Sequence, residues 1–225
     1  FQEYFAATYV KQQMENPEWL IGQSSDDSAL DPRVTKETIT HWAGETQWHQ
    51  TFVFLFELFA GHPGWNRIIQ PLCFPAGWLD RIRSNWEQRL RKSPWDLIRQ
   101  RVPSRAELWL AILQNPHSGL SESQRTSGWR DAAVLALEEQ KLIVKIPPTS
   151  MEYGTRQTLL SSLLSIPDAQ KAVESEIEKS RVSGLTLKSV SVDAMKDLLS
   201  RTSLAHLWLE ETKLPSPKHL WRHEG

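Results

Sequence analysis

The segment from Thr46 to Ala60 constrains the fold most, because a helix over these residues is apolar on nearly every side. One face carries Trp48, Phe52, Leu55, Phe56 and Phe59, and the other faces add Val53, Phe54 and Leu58. A helix of this kind must be enclosed by neighbouring helices. The apolar run ends at Glu57 and is too short to span a bilayer. The sequence therefore predicts an all-α fold, a stacked irregular helical bundle or superhelix, with this helix at its centre.

A change of pattern near Ser104 divides the predicted helices into two groups. The first, residues 1–102, holds the apolar helix and an amphipathic helix at Trp78–Lys92. Ser104 and Glu107 have the spacing of a capping box and begin the second, residues 103–225. No tandem repeat of fixed period is present, so a regular solenoid is not expected.

Residues 104–148 have the outline of a small winged-helix unit. Its elements are a helix at Ala106–Gln114, a loop at Pro116–Leu120, a helix at Trp129–Lys141 and a short strand at Val144-Lys145-Ile146. A DNA-reading helix presents basic and amide side chains to the major groove. The corresponding helix here offers one basic residue beside three acids: Arg130, with Asp131, Glu138 and Glu139. We therefore expect such a unit to be structural or protein-binding.

The last third of the chain is predicted as three helices. They span roughly Met151–Ser165, Asp168–Val182 and Val192–Lys213. The third helix is predicted to bury six apolar residues: Met195, Leu198, Leu199, Leu204, Leu207 and Trp208.

The first ten residues form an amphipathic helix and carry the most specific motif of the chain. Phe1, Phe5 and Tyr9 recur every four residues, so periodicity predicts an apolar stripe facing the core. Ala6 and Ala7 are small enough for a second helix to approach closely. The string FQEYFAA resembles the FQE(Y/F)(L/F)AA signature of NACHT-type signalling NTPases, the group that includes NOD-like receptors and their bacterial relatives.

The position of the signature in that family implies which part of a protein this chain represents. In that family it lies where the winged-helix part of the NTPase module passes into a helical superdomain. The phosphate-binding loop, the magnesium-binding acidic residues and a nucleotide-sensing histidine all lie upstream of it. A chain that starts at the signature, without an initiator Met, is expected to be the C-terminal, sensor-side portion of a larger protein. The interdomain hinge is then expected at five residues: Phe1, Gln2, Glu3, Tyr4 and Phe5.

The resemblance also implies partners. In that family, a foreign cue recognised by the C-terminal region releases the NTPase to oligomerise and to switch on an attached effector, commonly in antiphage defence. The expected partners are the upstream NTPase and effector domains, a phage-derived protein or nucleic acid, and other copies on activation. ATP or ADP with Mg²⁺ would bind upstream. This sequence has no G-x-x-x-x-G-K-[ST] loop and no strand–GxGxxG–helix unit, so we expect no enzyme and no cofactor in this chain.

A basic interval interleaved with tryptophan supplies the candidate ligand-binding residues. They are Arg81, Arg83, Trp86, Arg89, Arg91, Arg99, Arg101 and Arg105. The interval also contains Trp78, Trp95 and Lys92, and only three acids: Asp80, Glu87 and Asp96. Such a mixture can hold nucleic-acid phosphates or an acidic protein surface. The alternative is a solvated basic face whose arginine stems cover apolar neighbours.

Three other chemical features are expected to be ordinary. His41, Glu45 and His49 are spaced by four like zinc ligands, but Gly44 interrupts the run and the order H-E-x-x-H is absent. His219 and His223 lie near the end of the chain and are not expected to bind metal. Cys73 lies between Leu72 and Phe74 and is expected to be a buried apolar filler.

The counts of charged residues and of cysteine exclude some classes of protein and leave others open. Lys and Arg number 26 against 27 for Asp and Glu, so no polyanionic partner is demanded and a local basic patch is allowed. A single cysteine excludes an internal disulfide framework and favours a cytoplasmic location, and no membrane partner is expected. Two further functions remain open: a winged-helix nucleic-acid-binding regulator without an NTPase parent, and a helical protein-interaction scaffold.

Overall fold

The protein is predominantly helical in a computed structural model, which describes residues 1–21, 31–92, 103–144, 159–180, 184–188, 196, 198–200 and 206–210. Ten α-helices lie within these residues: α1 Gln2–Glu15, α2 Pro17–Ile21, α3 Lys36–Trp42, α4 His49–Leu58, α5 Pro63–Cys73, α6 Trp78–Lys92, α7 Ser104–Gln114, α8 Glu122–Val144, α9 Leu159–Leu164 and α10 Pro167–Ser180. A 3₁₀ turn, Thr46–Trp48, precedes α4. Strands β1 Gly184–Lys188 and β2 His206–Glu210 pair in parallel. The predicted all-α class is confirmed.

Contacts divide the chain into two compact units. The first contains Phe1–Trp78 and Pro103–Arg125, and the second contains Leu79–Val102 and Thr126–Gly225. The chain therefore passes between the units three times, and its last passage falls within α8.

In the first unit, α4 buries one apolar face between neighbouring helices. It packs against α1 and against α7, and it buries Phe52, Leu55 and Phe56. Phe59, which follows α4, is also fully buried. Each such side chain contributes about 1.5–3 kcal/mol by leaving water, so this cluster is a large part of the unit's core. The predicted packing between neighbouring helices is therefore confirmed on this face, whereas Val53, Phe54 and Leu58 are only half-buried.

Helices α3 and α7 of the first unit begin differently: a side chain accepts a backbone N–H of the first turn in α3 but not in α7. Thr35 forms a capping box with Thr38 before α3, so each side chain receives the other residue's backbone N–H. The capping box predicted at Ser104 is wrong, because Pro103 is the N-cap of α7 and Ser104 already lies inside the helix. The Ser104 hydroxyl instead meets the Nε2 atom of His49 at 2.8 Å.

In the second unit, α8, α9 and α10 supply much of the core. The buried residues of α9 and α10 include Leu160, Leu163, Ala169, Val173 and Ile177. α9 packs against α10 and also contacts β1. The buried carboxylate of Glu139 in α8 accepts the backbone N–H of Leu159, the first residue of α9, at 2.8 Å. A side chain twenty positions earlier in the chain thus satisfies one N–H group of the first turn of α9.

The winged-helix outline receives no support from the described residues. The helix at Ala106–Gln114 is present within α7, and residues 115–121 are not helical. The helix predicted at Trp129–Lys141 belongs to one continuous helix, α8, of 23 residues. Val144, expected to begin a strand, is the last residue of α8, since no glycine or proline interrupts the pattern before it. Lys145 and Ile146 lie outside the described residues.

The C-terminal prediction is correct for one helix and wrong for part of another. α10 covers most of Asp168–Val182, and α9 lies within Met151–Ser165. The helix predicted at Val192–Lys213 is wrong at His206–Glu210, which is strand β2. The sequence His-Leu-Trp-Leu-Glu places three consecutive apolar residues between polar ones, a pattern that a short strand shares with a helix.

The burial predicted for that third helix is correct at one described position and wrong at another. Leu198 is buried as predicted, whereas Leu199 is exposed. Residues 196 and 198–200 are helical. Met195 and Leu204 lie outside the described residues, as do the side chains of Leu207 and Trp208.

Across the described parts of the chain, no helix is both long enough and apolar enough to cross a membrane.

Candidate functional site

Helix α1, which carries the FQEYFAA motif, has a buried small-residue face and an exposed aromatic face. Ala7, Val10 and Met14 are buried on the side that packs against α4. Phe1 is 99% exposed and Phe5 is 67% exposed. The predicted packing through alanine is confirmed for Ala7. The prediction that the aromatic stripe faces the core is wrong, because the smaller side chains allow α1 to approach α4 more closely.

The exposed aromatic face of α1, defined by Phe1, Tyr4, Phe5 and Tyr9, is continuous with α4. Tyr4 and Tyr9 are 45% and 44% exposed. The Tyr4 ring stands edge-on to Phe5 at 6.4 Å and to Phe54 of α4 at 5.7 Å between ring centroids. Four aromatic side chains therefore lie along one side of the helix, and Phe54 extends this surface onto α4.

Tyr9 fixes one edge of this face. Its hydroxyl donates to Asp31 Oδ2 at 2.9 Å, and Arg33 donates to both oxygens of the same carboxylate at 3.0 Å. The Asp31 backbone N–H in turn donates to Gln13 Oε1 at 2.7 Å. Hydrogen bonds from Arg33, more than those from Tyr9, lower the pKa of Asp31 to about 2. The network ties α1 to the segment that precedes α3.

Helix α6 carries the second candidate surface. Arg81, Arg89 and Arg91 are exposed, whereas Ile82 and Trp86 are buried. Trp86 is therefore a core residue of α6. The exposed side also contains residues that the list of candidate ligand contacts omitted: Ser84, Asn85, Gln88 and Lys92. A helical wheel of Trp78–Lys92 identifies them, since they fall between the exposed arginines.

Arg83 lies at the inner edge of α6 and is already engaged. Its Nη1 atom donates to Asp80 at 3.3 Å. Burial raises the pKa of Asp131 in α8, while the charges of Arg130 and Arg83 oppose this rise. Arg83 is therefore close enough to Asp131 to interact with it. Its charge is directed within the second unit.

The other predicted ligand contacts lie elsewhere. Arg105 is half-buried in the first unit, where it donates to the backbone carbonyls of Cys73 and Thr40 at 2.6 Å each. Both acceptors lie in the last turns of helices, where cations are favourable. Arg99 and Arg101 lie outside the described residues. The structure thus places three of the eight candidates, Arg81, Arg89 and Arg91, on the exposed side of one helix.

The histidine, glutamate and cysteine side chains are engaged in ordinary packing. His41 contacts Glu45 at 3.1 Å, but α3 ends at Trp42, so one helix does not align His41, Glu45 and His49. Burial lowers the pKa of His49, whose Nε2 atom contacts Ser104. Within the described ranges no three His, Cys, Asp or Glu side chains are grouped to hold a metal. His219 and His223 lie outside those ranges.

Cys73 is fully buried, which confirms its prediction as an apolar filler. Burial raises the pKa of its thiol, and the nearby charge of Arg105 opposes this effect only in part. The thiolate is the reactive form of cysteine, so this thiol is inert at neutral pH.

The fold and its surfaces therefore define a class: a helical protein with an aromatic face on α1 and a basic polar side on α6. Comparison with family models, characterised proteins and solved structures finds no match to this chain.

Proposed function

We propose that the chain is the sensor-side region of a bacterial NACHT-type signalling NTPase that acts in antiphage defence. In this proposal the exposed aromatic face of α1 contacts an upstream nucleotide-binding module. A foreign cue that binds elsewhere on the chain weakens this contact and releases the module to oligomerise and switch on its effector. The cue must bind the released state more tightly than the restrained state, because only a difference in affinity shifts the equilibrium.

One observation carries the proposal: the helix with the FQEYFAA motif presents aromatic side chains on the face opposite its own core contacts. Ala7 and Met14 are buried, whereas Phe1 and Phe5 are exposed. Contiguous exposed apolar side chains of this size mark interaction sites. A hinge needs this arrangement, since one face must stay packed in its own domain while the other engages a neighbour.

The coding sequence that precedes the codon for Phe1 provides the first test. We expect it to encode, in the same reading frame, a G-x-x-x-x-G-K-[ST] loop and an acidic strand a few hundred residues upstream. A start codon close to Phe1, with neither element, would falsify the NTPase proposal and leave the helical scaffold as the better description.

Function of the aromatic face can be measured in the longer protein. The double substitution Phe1→Ser and Phe5→Ser removes apolar area from the proposed contact, so we expect ADP to be released at least about tenfold faster. The control is Gln12→Ser, which changes an exposed polar position of the same helix outside the expected hinge. Equal release rates in the two variants would count against a restraining contact.

The winged-helix regulator is the weaker alternative. It depends on the outline at residues 104–148, of which the described part consists of two helices without a strand. Its electrostatics are also unfavourable, because Arg130 is followed directly by Asp131.

A further inference from the structure

The outer side of α6 has a composition distinct from the rest of this helix. At about 100° per residue, roughly 160° of its circumference carries seven polar residues, one aromatic residue (Trp78) and no acid. The seven polar residues are Arg81, Ser84, Asn85, Gln88, Arg89, Arg91 and Lys92, and all seven are exposed. The two acids of the helix, Asp80 and Glu87, lie together at one border of this basic polar arc. The basic side chains of the arc therefore all lie on one side of α6.

The chemistry of the arc distinguishes between two classes of macromolecular partner. Stable protein interfaces need apolar or aromatic anchors at their centres. Ile82 and Trp86 of α6 are buried, and the ring of Trp78, which is half-buried, packs against other aromatic rings. The arc therefore offers no fully exposed apolar anchor. Nucleic-acid backbones are bound by arginine, lysine, serine, asparagine and glutamine, and these are the five polar residue types of the arc. The composition favours a phosphate backbone over an acidic protein.

The residues of the arc also favour double-stranded over single-stranded nucleic acid as the partner. Proteins that bind single strands without sequence preference stack bases on exposed aromatic rings. Trp86 is buried, and Trp78 packs against Phe74 and Trp109 at 5.3 Å and 6.4 Å between ring centroids. Trp78 falls between Asn85 and Arg89 on the helical wheel, but its ring is half-buried and already packed. Among the described residues of α6, the arc therefore presents no fully exposed ring on which a base can stack. Contacts to the backbone of a duplex fit it better.

The length of the arc suits several consecutive phosphates. Arg81 and Lys92 are eleven residues apart in α6, which corresponds to about 16 Å along the helix. Phosphates of a B-DNA strand advance about 3.4 Å each along the duplex axis. Arg81, Arg89, Arg91 and Lys92 can thus contact about four phosphates.

We propose that the outer arc of α6 is a sequence-independent binding surface for the phosphate backbone of double-stranded nucleic acid. It deepens the proposed function by naming duplex nucleic acid as the class of the cue, and only that assignment rests on the NTPase proposal. Binding itself belongs to the 225-residue chain and is measured on it alone. Failure of binding is therefore distinguishable from failure of the reading-frame test.

The test is fluorescence anisotropy with a labelled DNA duplex of about 20 base pairs, titrated with the chain at about 50 mM and 200 mM salt. About four neutralised phosphates predict that log affinity falls with log salt with a slope of about −3 to −4, a loss of about 100-fold between these conditions. Substitution of Arg81, Arg89, Arg91 and Lys92 by Gln is expected to weaken binding at least about tenfold at low salt and to abolish most of the slope. The single substitution Arg91→Gln is expected to reduce the slope by about 1.

A control variant replaces four exposed lysines outside α6 by Gln: Lys141, Lys171, Lys179 and Lys196. It removes the same net charge, so the proposal expects its affinity to stay within about twofold of the wild type. Equal losses in both quadruple variants would mean that net charge, not the arc, attracts the duplex. No binding at low salt would overturn the proposal. Tighter binding of a single strand, or of poly-glutamate at equal charge, would reassign the surface to that partner.

Discussion

At the scale of single residues, Arg105 joins three helices of the first unit. Its guanidinium donates to the carbonyl oxygens of Thr40 in α3 and Cys73 in α5, while its backbone belongs to α7. Hydrogen bonds from charged groups contribute about 1.5–3 kcal/mol each, and a buried carbonyl left without a donor carries a further cost. We therefore predict that Arg105→Gln lowers the free energy of unfolding by about 2–4 kcal/mol, measured by urea denaturation.

The matched control for Arg105→Gln is Arg130→Gln, at an exposed position of α8. Exposed substitutions away from special contacts change stability by less than about 0.5 kcal/mol. If the two variants unfolded at the same urea concentration, the contacts of Arg105 would contribute nothing measurable. The stability of Arg105→Lys offers a finer comparison, since lysine retains the charge but cannot donate to two carbonyls in the same planar geometry.

Asp31 predicts a dependence of stability on pH. Its pKa is lowered to about 2 by hydrogen bonds from Arg33 first and from Tyr9 after it. A carboxyl whose folded pKa lies below the unfolded value of about 3.9 stabilises the fold above that value and loses this contribution as pH falls toward the folded pKa. We expect the stability difference between the wild type and Asp31→Asn to be constant near pH 6 and to shrink between about pH 4 and pH 2.

Thermal or urea unfolding of the wild type and of Asp31→Asn across this range checks the prediction. Tyr9→Phe removes one hydrogen bond but leaves Arg33, so its pH dependence should stay close to that of the wild type. A wild-type minus Asp31→Asn difference that does not change with pH would mean that the carboxylate is not stabilised as its contacts indicate.

At the scale of elements, α1 permits a comparison within one helix. Met14 is fully buried, whereas Phe5 is 67% exposed. Truncation of a buried methionine costs about 2–5 kcal/mol, because contacts are lost and a cavity remains. We predict this cost for Met14→Ala in urea denaturation and a change below about 0.5 kcal/mol for Phe5→Ala. A large loss for Phe5→Ala would mean that the aromatic face is part of the core and not a docking surface.

The sequence predicts elements well where one physical signal dominates. Phe52, Leu55 and Phe56 predict a face buried between neighbouring helices, and this face of α4 is buried. The sequence predicts poorly which face of α1 is buried, because two sets of residues follow helical spacing: Phe1, Phe5 and Tyr9, and Ala7, Val10 and Met14. Periodicity alone cannot choose between a stripe of large residues and one of small residues. The choice depends on how closely α4 can approach, which is a tertiary property.

The candidate surface on α6 was partly predictable for a similar reason. Charge and helical spacing in the sequence identify Arg81, Arg89 and Arg91. Helical spacing also allows the contact between Asp80 and Arg83, which are three residues apart. It does not reveal that Arg105 donates to two main-chain carbonyls, since those contacts join helices that are distant in the sequence. The strand His206–Glu210 was missed because leucine and tryptophan also suit a helix, and the residues of strand β1 that pair with it lie 22 positions earlier in the sequence.

At the scale of the whole molecule, the two proposed surfaces belong to different units. The aromatic face of α1 lies in the first unit, and the seven polar residues of the arc on α6 lie in the second. Trp78, the first residue of α6, belongs to the first unit. The formal charge of −1 means that the arc works as a local field and not as part of a basic protein. A sensor requires more than two surfaces, because occupancy of one must change the affinity of the other.

This requirement gives the last prediction, made for the longer protein that the proposed function implies. If duplex binding at α6 releases the contact at α1, loosening that contact must strengthen duplex binding by the same factor, since coupling between binding sites is reciprocal. We expect Phe1→Ser with Phe5→Ser to tighten duplex binding by about 5- to 150-fold in the longer protein, the range typical of allosteric coupling. Anisotropy titrations at fixed salt measure this change.

The 225-residue chain is the internal reference for that measurement. It contains the aromatic face without the proposed upstream module, so the same double substitution should leave its duplex affinity within about twofold. Equal tightening in both proteins would indicate a direct effect of the two phenylalanines on duplex binding. Unchanged affinity in both would separate the two surfaces, so that α6 would bind nucleic acid without controlling the module at α1.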